Sequence, residues 1–189
     1  VAGGATITLV PSSPGIADSA LDAMQGLPAP WIITTADNVL ITATALRQVR
    51  AMLDQADVVI GLSTETAIKA AHPEAQRNFY RFKDGGHSNC NLYAIRDAGA
   101  LGAVETFREG GQFQKNPRRL IAAFGLINIL MFRQGWLTVA GAMKRVGRRF
   151  GLDIRALVFA DGKLAIDVDN ERTYAIAEGF LPQRIAERG

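Results

Sequence analysis

Two apolar runs, WIITT at 31–35 and DVVIGL at 57–62, stand on either side of a segment of helical composition, and this order constrains the fold more than any other feature of the chain. β-Branched residues are frequent in both runs, as in strands buried within a sheet. The intervening TATALRQVRAMLDQA, 42–56, places Leu46, Val49, Met52 and Leu53 on one helical face, with Arg47, Arg50 and Asp54 largely elsewhere. Strand, amphipathic helix and strand bury their apolar sides together when the helix crosses over one face of a sheet whose two strands run the same way. A further run, TITLV at 6–10, is followed by the helix-like DSALDAM and repeats the rhythm. The expected class is therefore α/β, with a mainly parallel sheet covered by helices.

The rhythm changes at NFYRFKDGGHSNCNLYAI, which reads as two strands, 78–83 and 90–95, joined by a polar turn containing Gly85 and Gly86. A hairpin or mixed-sheet insertion is expected there. A helical stretch at 98–108 and the loop EGGQFQKN at 109–116 lead to the apolar LIAAFGLINILMF at 120–132, with Asn116 and Pro117 as its N-cap and first helical residue and Gly135 as its end. From Trp136 to Phe150, apolar residues recur at helical spacing among Lys144, Arg145, Arg148 and Arg149, giving an amphipathic basic helix whose charged side meets either water or an anionic surface. The closing DIRALVFADGKLAIDVDNERTYAIAEGFL reads as strand, turn at Asp161 and Gly162, strand, helix. No repeat or linker divides residues 1–189, so one domain is expected.

Hydrophobic residues make up 48% of the 189 and charged residues 21%, a balance that supports a sizeable core and excludes a disordered chain. The 21 basic and 18 acidic residues are spread along most of the chain, and a net charge of +3 is a mild bias toward anionic ligands rather than a nucleic-acid footprint. One cysteine, Cys90, and two histidines exclude an intramolecular disulfide framework and a multi-cysteine zinc site, which makes a reducing cytoplasm the expected compartment. No secretory signal is visible. The longest apolar run falls short of the ~20 residues that span a bilayer, so a buried helix is expected and stable membrane insertion is not.

Asp37, just after WIITT, falls at the carboxyl end of a strand, the edge where parallel α/β sheets bind their ligands. Asp37 or Asn38 could equally cap a following helix. In AIDVDN the two-residue period of a strand puts Asp167 and Asp169 on one face, with Ile166 and Val168 on the other. Two carboxylates projecting together are costly unless solvated or holding a cation, and hard oxygen ligands of this kind suit Mg2+ bridging substrate phosphates. The alternative is an acidic strand end that caps the helix starting near Glu171. His87 in its polar turn has no identifiable catalytic partner, and Cys90 beside an apolar strand reads as a core residue.

Here the residues resemble a family. TTADNVLIT is similar to the strand-end acidic motif of nucleotidyltransferases with a glycosyltransferase-A-like fold, a group that includes MobA-like NTP transferases and methylerythritol-phosphate cytidylyltransferase. AIDVDNERTYAIAE resembles their C-terminal metal-binding strand and helix, although the proline of the helix start is replaced by Glu171-Arg172. PGIADSALDAM resembles the segment that meets the base in cytidylyltransferases, and GGHSNCNLYAI the strand that borders the acceptor pocket. The resemblance covers nearly the whole chain and implies a three-layer α/β/α fold with a helical insertion at 116–150. It implies that Asp37 and Asp169 hold Mg2+, with Asp167 as supporting ligand. It also implies that Gly15, Ser19 and Thr35 meet the nucleotide, and that Gly86, His87, Asn89 and Asn91 border the acceptor.

The N-terminus departs from the family pattern. VAGG is followed at once by a strand-like run with neither the Arg nor the Lys of a triphosphate-cradling loop, so ATITLV is read as the second strand of the fold and the first βα unit as lying outside this sequence. The implied activity is transfer of CMP from CTP to a phosphorylated sugar or polyol, with pyrophosphate released. Two other readings remain: a glycosyltransferase using a nucleotide-sugar donor, and a non-catalytic nucleotide-binding module whose 116–150 insertion makes a homodimer or touches a membrane.

Overall fold

The computed structural model describes residues 6–101, 130–131 and 134–186. Five strands form one sheet: β1 (Trp31–Thr34), β2 (Val58–Thr64), β3 (Tyr80–Phe82), β4 (Gly85–Ile95) and β5 (Ile154–Phe159). The order is β1-β4-β2-β5, with β3 also on β4. β4 runs antiparallel to β1, β2 and β3, whereas β2 and β5 are parallel. Four strands therefore point one way and β4 alone points against them. The expected mixed sheet is present, but the long reversed strand lies between β1 and β2, so three of the four pairings are antiparallel rather than mainly parallel.

The helices are α1 (Ile16–Met24), α2 (Ala43–Met52), α3 (Glu65–Ala71), α4 (Val139–Phe150) and α5 (Glu171–Ala186). Thr42, Thr64 and Thr138 cap α2, α3 and α4 by accepting hydrogen bonds from Ala45 N, Ala67 N and Gly141 N. On one face of the sheet Val59, Cys90, Leu92, Ala94 and Phe159 pack with Val49 and Leu53 of the α2 region, Ile68 of α3, and Ile176 and Ala177 of α5. On the other face Val58, Ile60, Ile95 and Ile154 meet Leu21 and Met24 of α1 and Met143, Val146 and Phe150 of α4. This is the three-layer α/β/α arrangement. None of the described helices is long and apolar enough to cross a membrane.

Three sequence expectations change. Residues 6–10 carry no strand, and Ile7 and Leu9 are 85% and 92% exposed. An apolar β-branched run becomes a strand only where a ladder partner meets it, and among the described residues none does. The hairpin is tighter than expected: Phe82 pairs with Gly85, so only Lys83 and Asp84 turn, and the polar GGHSN belongs to β4. AIDVDN is not a strand; Asp161 caps a 3-10 turn over Gly162–Ala165, and an irregular segment carries the two acids to α5. The helix expected at 98–108 is described only at its start, as a 3-10 turn over Ala98–Ala100, and most of the apolar helix at 120–132 lies outside the described residues. Of the 116–150 insertion, α4 is its main described part.

The contact between this 3-10 turn and α3 leaves no room for a side chain. A Cβ on Gly162 would stand 2.2 Å from Ala67 O and 2.5 Å from Ile68 N, both backbone atoms that cannot rotate away. Gly162→Ala is expected to lower unfolding free energy by about 3 kcal/mol, read by urea denaturation, with Gly179→Ala, which has open space inside α5, as the control expected to hold or gain up to about 1 kcal/mol.

Candidate functional site

β1 ends at Thr34 opposite Leu92, while β3 covers β4 only from Gly85 to His87. The edge of β4 between these partners is left without a strand, and the chain leaving β1 turns across it. Asn38, 3% exposed, donates from Nδ2 to Cys90 O at 2.6 Å and so satisfies that open edge. The same turn presents Asp37, whose Oδ1 accepts from Thr35 Oγ1. Val168 N donates to Asp37 O at 3.1 Å, which fastens the segment between the 3-10 turn and α5 to the end of β1. Asp167 and Asp169 flank Val168, so one backbone hydrogen bond gathers all three acids.

Opposite them, β4 is irregular. Ile60 pairs with Tyr93 but Leu62 with Asn89, so β4 spends two more residues than β2 between these pairs. The bulge faces Gly61, where a Cβ would stand 3.2 Å from Leu92 O and 3.0 Å from the Phe159 ring. Asn91 adopts a left-handed φ of 46° inside it. Asn89, Asn91 and Tyr93 share the polar face. Asn91 Nδ2 donates to Asp167 Oδ2 at 2.9 Å, Asn89 Nδ2 donates to Asn91 Oδ1 at 3.1 Å and to Tyr93 Oη, and Asn91 N donates to Asn89 Oδ1 at 3.1 Å.

Asp167 Oδ1 is buried without a hydrogen-bond partner among the described residues. Burial first, and then the charges of Asp37 and Asp169, push the Asp167 carboxyl up to about 6 against the opposing Asn91 hydrogen bond. Burial also raises the Tyr93 phenol. Among the described residues, no three His, Cys, Asp or Glu side chains converge closely enough to hold a metal ion by themselves.

The other sequence-picked residues lie apart from this cluster in their contacts. Gly15 is the N-cap of α1, and Ser19 Oγ accepts from Ser13 N at 2.9 Å and donates to Ser13 O at 3.2 Å, closing the turn into that helix. His87 is 4% exposed, with Nδ1 3.2 Å from Gly85 O and its ring edge-on to Phe82, and Gly86 lies against Glu65 and Arg81. Cys90 is fully buried in the core, its thiol pushed up to about 12 by burial. The sequence marks Asn38 only as a possible helix cap, whereas its amide closes the β4 edge, and it gives Tyr93 no role. The alternation of Asn89, Asn91 and Tyr93 was the available signal for Tyr93, whereas the role of Asn38 depends on a strand gap that only the topology creates. A cleft of about 830 Å³ between α4 and β5, lined by Met143, Lys144, Arg148, Leu152 and Val158, includes none of the acids.

Because the folded state holds the Asp167 proton more tightly than the unfolded chain, where its value is near 3.8, the stability this confers is full below that value and is lost as pH rises to about 6. Above it, the buried charge is a cost. Without divalent cations, Asp167→Asn is expected to be more stable than the wild type at pH 7.5 by on the order of 1–3 kcal/mol, the gap closing toward pH 4. Urea titrations of both proteins across that range measure it, and an unchanged gap would assign Asp167 to solvated surface.

No protein-family model matches the chain, and no curated protein matches it. Among solved structures, one described as a hypothetical transferase from Thermus thermophilus superimposes with a TM-score of 0.77, covering 87% of this chain and 71% of that one at 24% identity. The likeness establishes a shared α/β fold.

Proposed function

We propose that the protein is a Mg2+-dependent nucleotidyltransferase. The observation that carries this reading is the joining of the Asp37 turn to the Asp167–Asp169 segment at the carboxyl end of β1, near enough for the charges of Asp37 and Asp169 to act on Asp167, one of whose oxygens is buried and unpartnered. A carboxylate oxygen in that condition is worth its cost where a cation comes to it. Mg2+ takes only one or two carboxylates and completes its shell with water and substrate phosphates, so an incomplete protein set fits this ion. Asp37 and Asp169 would hold it with Asp167 in support, and when bound it neutralises the phosphates of the nucleotide.

In the proposed reaction a phosphate oxygen of the acceptor forms a bond to the α-phosphorus of the NTP as the bond to the β-phosphate bridging oxygen breaks, and pyrophosphate leaves. Positioning and charge neutralisation suffice, and no protein nucleophile is required. Thr35 orients Asp37 through its hydroxyl. CTP is the first donor to test, on the likeness of PGIADSALDAM to the cytidylyltransferase segment, and phosphorylated sugars and polyols are the first acceptors. The neighbour's description as a transferase supports the general class.

Pyrophosphate release by the full-length gene product, with each of the four NTPs and a panel of sugar and polyol phosphates, tests the reading. Release with one NTP and one acceptor class is expected, abolished by EDTA and restored by Mg2+. Asp37→Ala is expected to lower turnover roughly 100-fold or more while leaving the protein folded. Release of a nucleoside diphosphate from a nucleotide sugar, without pyrophosphate, would establish glycosyl transfer instead. Silence with both substrate types would leave a non-catalytic module.

A further inference from the structure

The resemblance to nucleotidyltransferases assigns Asn91 to the acceptor, but its contacts describe a different task. We propose that Asn91 is a positioning residue for Asp167: the β4 bulge holds its side-chain amide against one oxygen of that carboxylate and so aims the other into the site. The inference rests on the carboxylate-site reading above.

Three observations converge on it. First, a left-handed φ of 46° is unusual for a residue bearing a side chain, and Asn91 alone shows one among the described non-glycine residues. Second, the bulge requires a concession across the sheet. A Cβ on Gly61 would stand 3.0 Å from the Phe159 ring and 3.2 Å from Leu92 O and Leu92 Cβ, so any side chain there would force these neighbours to shift by a few tenths of an ångström. Third, the amide is held from both ends. Asn91 Oδ1 accepts from Asn89 Nδ2 at 3.1 Å, which leaves Nδ2 to face Asp167 Oδ2 at 2.9 Å, and a carboxylate can only accept. Tyr93 Oη and Asn91 N fix Asn89 in turn.

A backbone requirement alone would be met by glycine, because glycine adopts this φ without steric cost. The chain instead keeps a side chain in the left-handed region and bonds it to an acid 76 residues away. With Oδ2 engaged, the carboxylate plane is set and Oδ1 remains buried and open. Partners of this kind, behind the atoms that meet the cation, commonly alter metal affinity 10–100-fold when removed.

The test uses Mn2+ as the probe ion, bound to the full-length protein without nucleotide and followed by electron paramagnetic resonance, with thermal unfolding in parallel. Asn91→Gly relieves the backbone but deletes the amide and its hydrogen bonds, two opposed effects, so the protein is expected to stay folded with an unfolding temperature near that of the wild type while Mn2+ binding weakens at least 10-fold. Asp167→Asn is the control that reports whether the ion sits at this carboxylate at all. Loss of Mn2+ in Asp167→Asn with binding within twofold of wild type in Asn91→Gly would overturn the positioning role and leave the site intact. Unchanged binding in Asp167→Asn would overturn the positioning role by removing Asp167 from the ion, and would leave the site reading to stand or fall on Asp37→Ala.

Discussion

The reversed strand β4 is the element on which the rest of the structure depends. Its eleven residues pair with β1, β2 and β3, and its apolar alternation of Cys90, Leu92 and Ala94 supplies the centre of the larger core. Removing β1, β3 or β5 would only shorten the sheet and removing β2 would detach β5 alone, whereas removing β4 would separate β1 and β3 from β2 and β5. The same strand carries the polar face of the site on its other side, so packing and chemistry are written on alternate residues of one segment.

That double use explains where the carboxylates lie. β1 is short and β3 begins its pairing further along, which exposes an interval of the β4 edge just beyond the carboxyl end of β1. Asn38 closes the interval with its amide, and the turn it anchors delivers Asp37. The second acidic segment then needs a single backbone hydrogen bond, from Val168 to Asp37, to bring in its two acids from more than a hundred residues away in the chain.

Much of this was legible before the structure. The crossover helix, both strands around it, the strand-end Asp37 and the start of α5 follow from periodicity and turn chemistry. What failed did so for physical reasons. Residues 6–10 have strand composition, but a strand is a pairing and the described residues provide no partner. GGHSN looks like a loop because its residues are polar or small, yet His87 is buried and laddered between β2 and β3, and Ser88 is buried and paired with β2. The alternation in AIDVDN suggests a strand with both acids on one face, but the segment is irregular and Val168 N binds the carbonyl of Asp37 rather than a neighbouring strand. α3 was overlooked because seven residues are too few for a periodic signal, although Thr64 and Glu65 mark its start. Neither Asn38 nor the left-handed Asn91 could be read locally, since both answer to a gap and a bulge made by distant strands.

The burial of Cys90 has a practical side. Its sulfur sits in the core 3.4 Å from Ser63 Oγ, and a thiol held at about 12 is protonated at any working pH. Only the thiolate reacts readily with maleimides, disulfides or oxidants, so the single native cysteine is silent in the folded protein. Residues 1–189 thus behave, while folded, like a cysteine-free background for labelling chemistry. A cysteine introduced at an exposed position such as Tyr174 would be the one group to take up a spectroscopic probe.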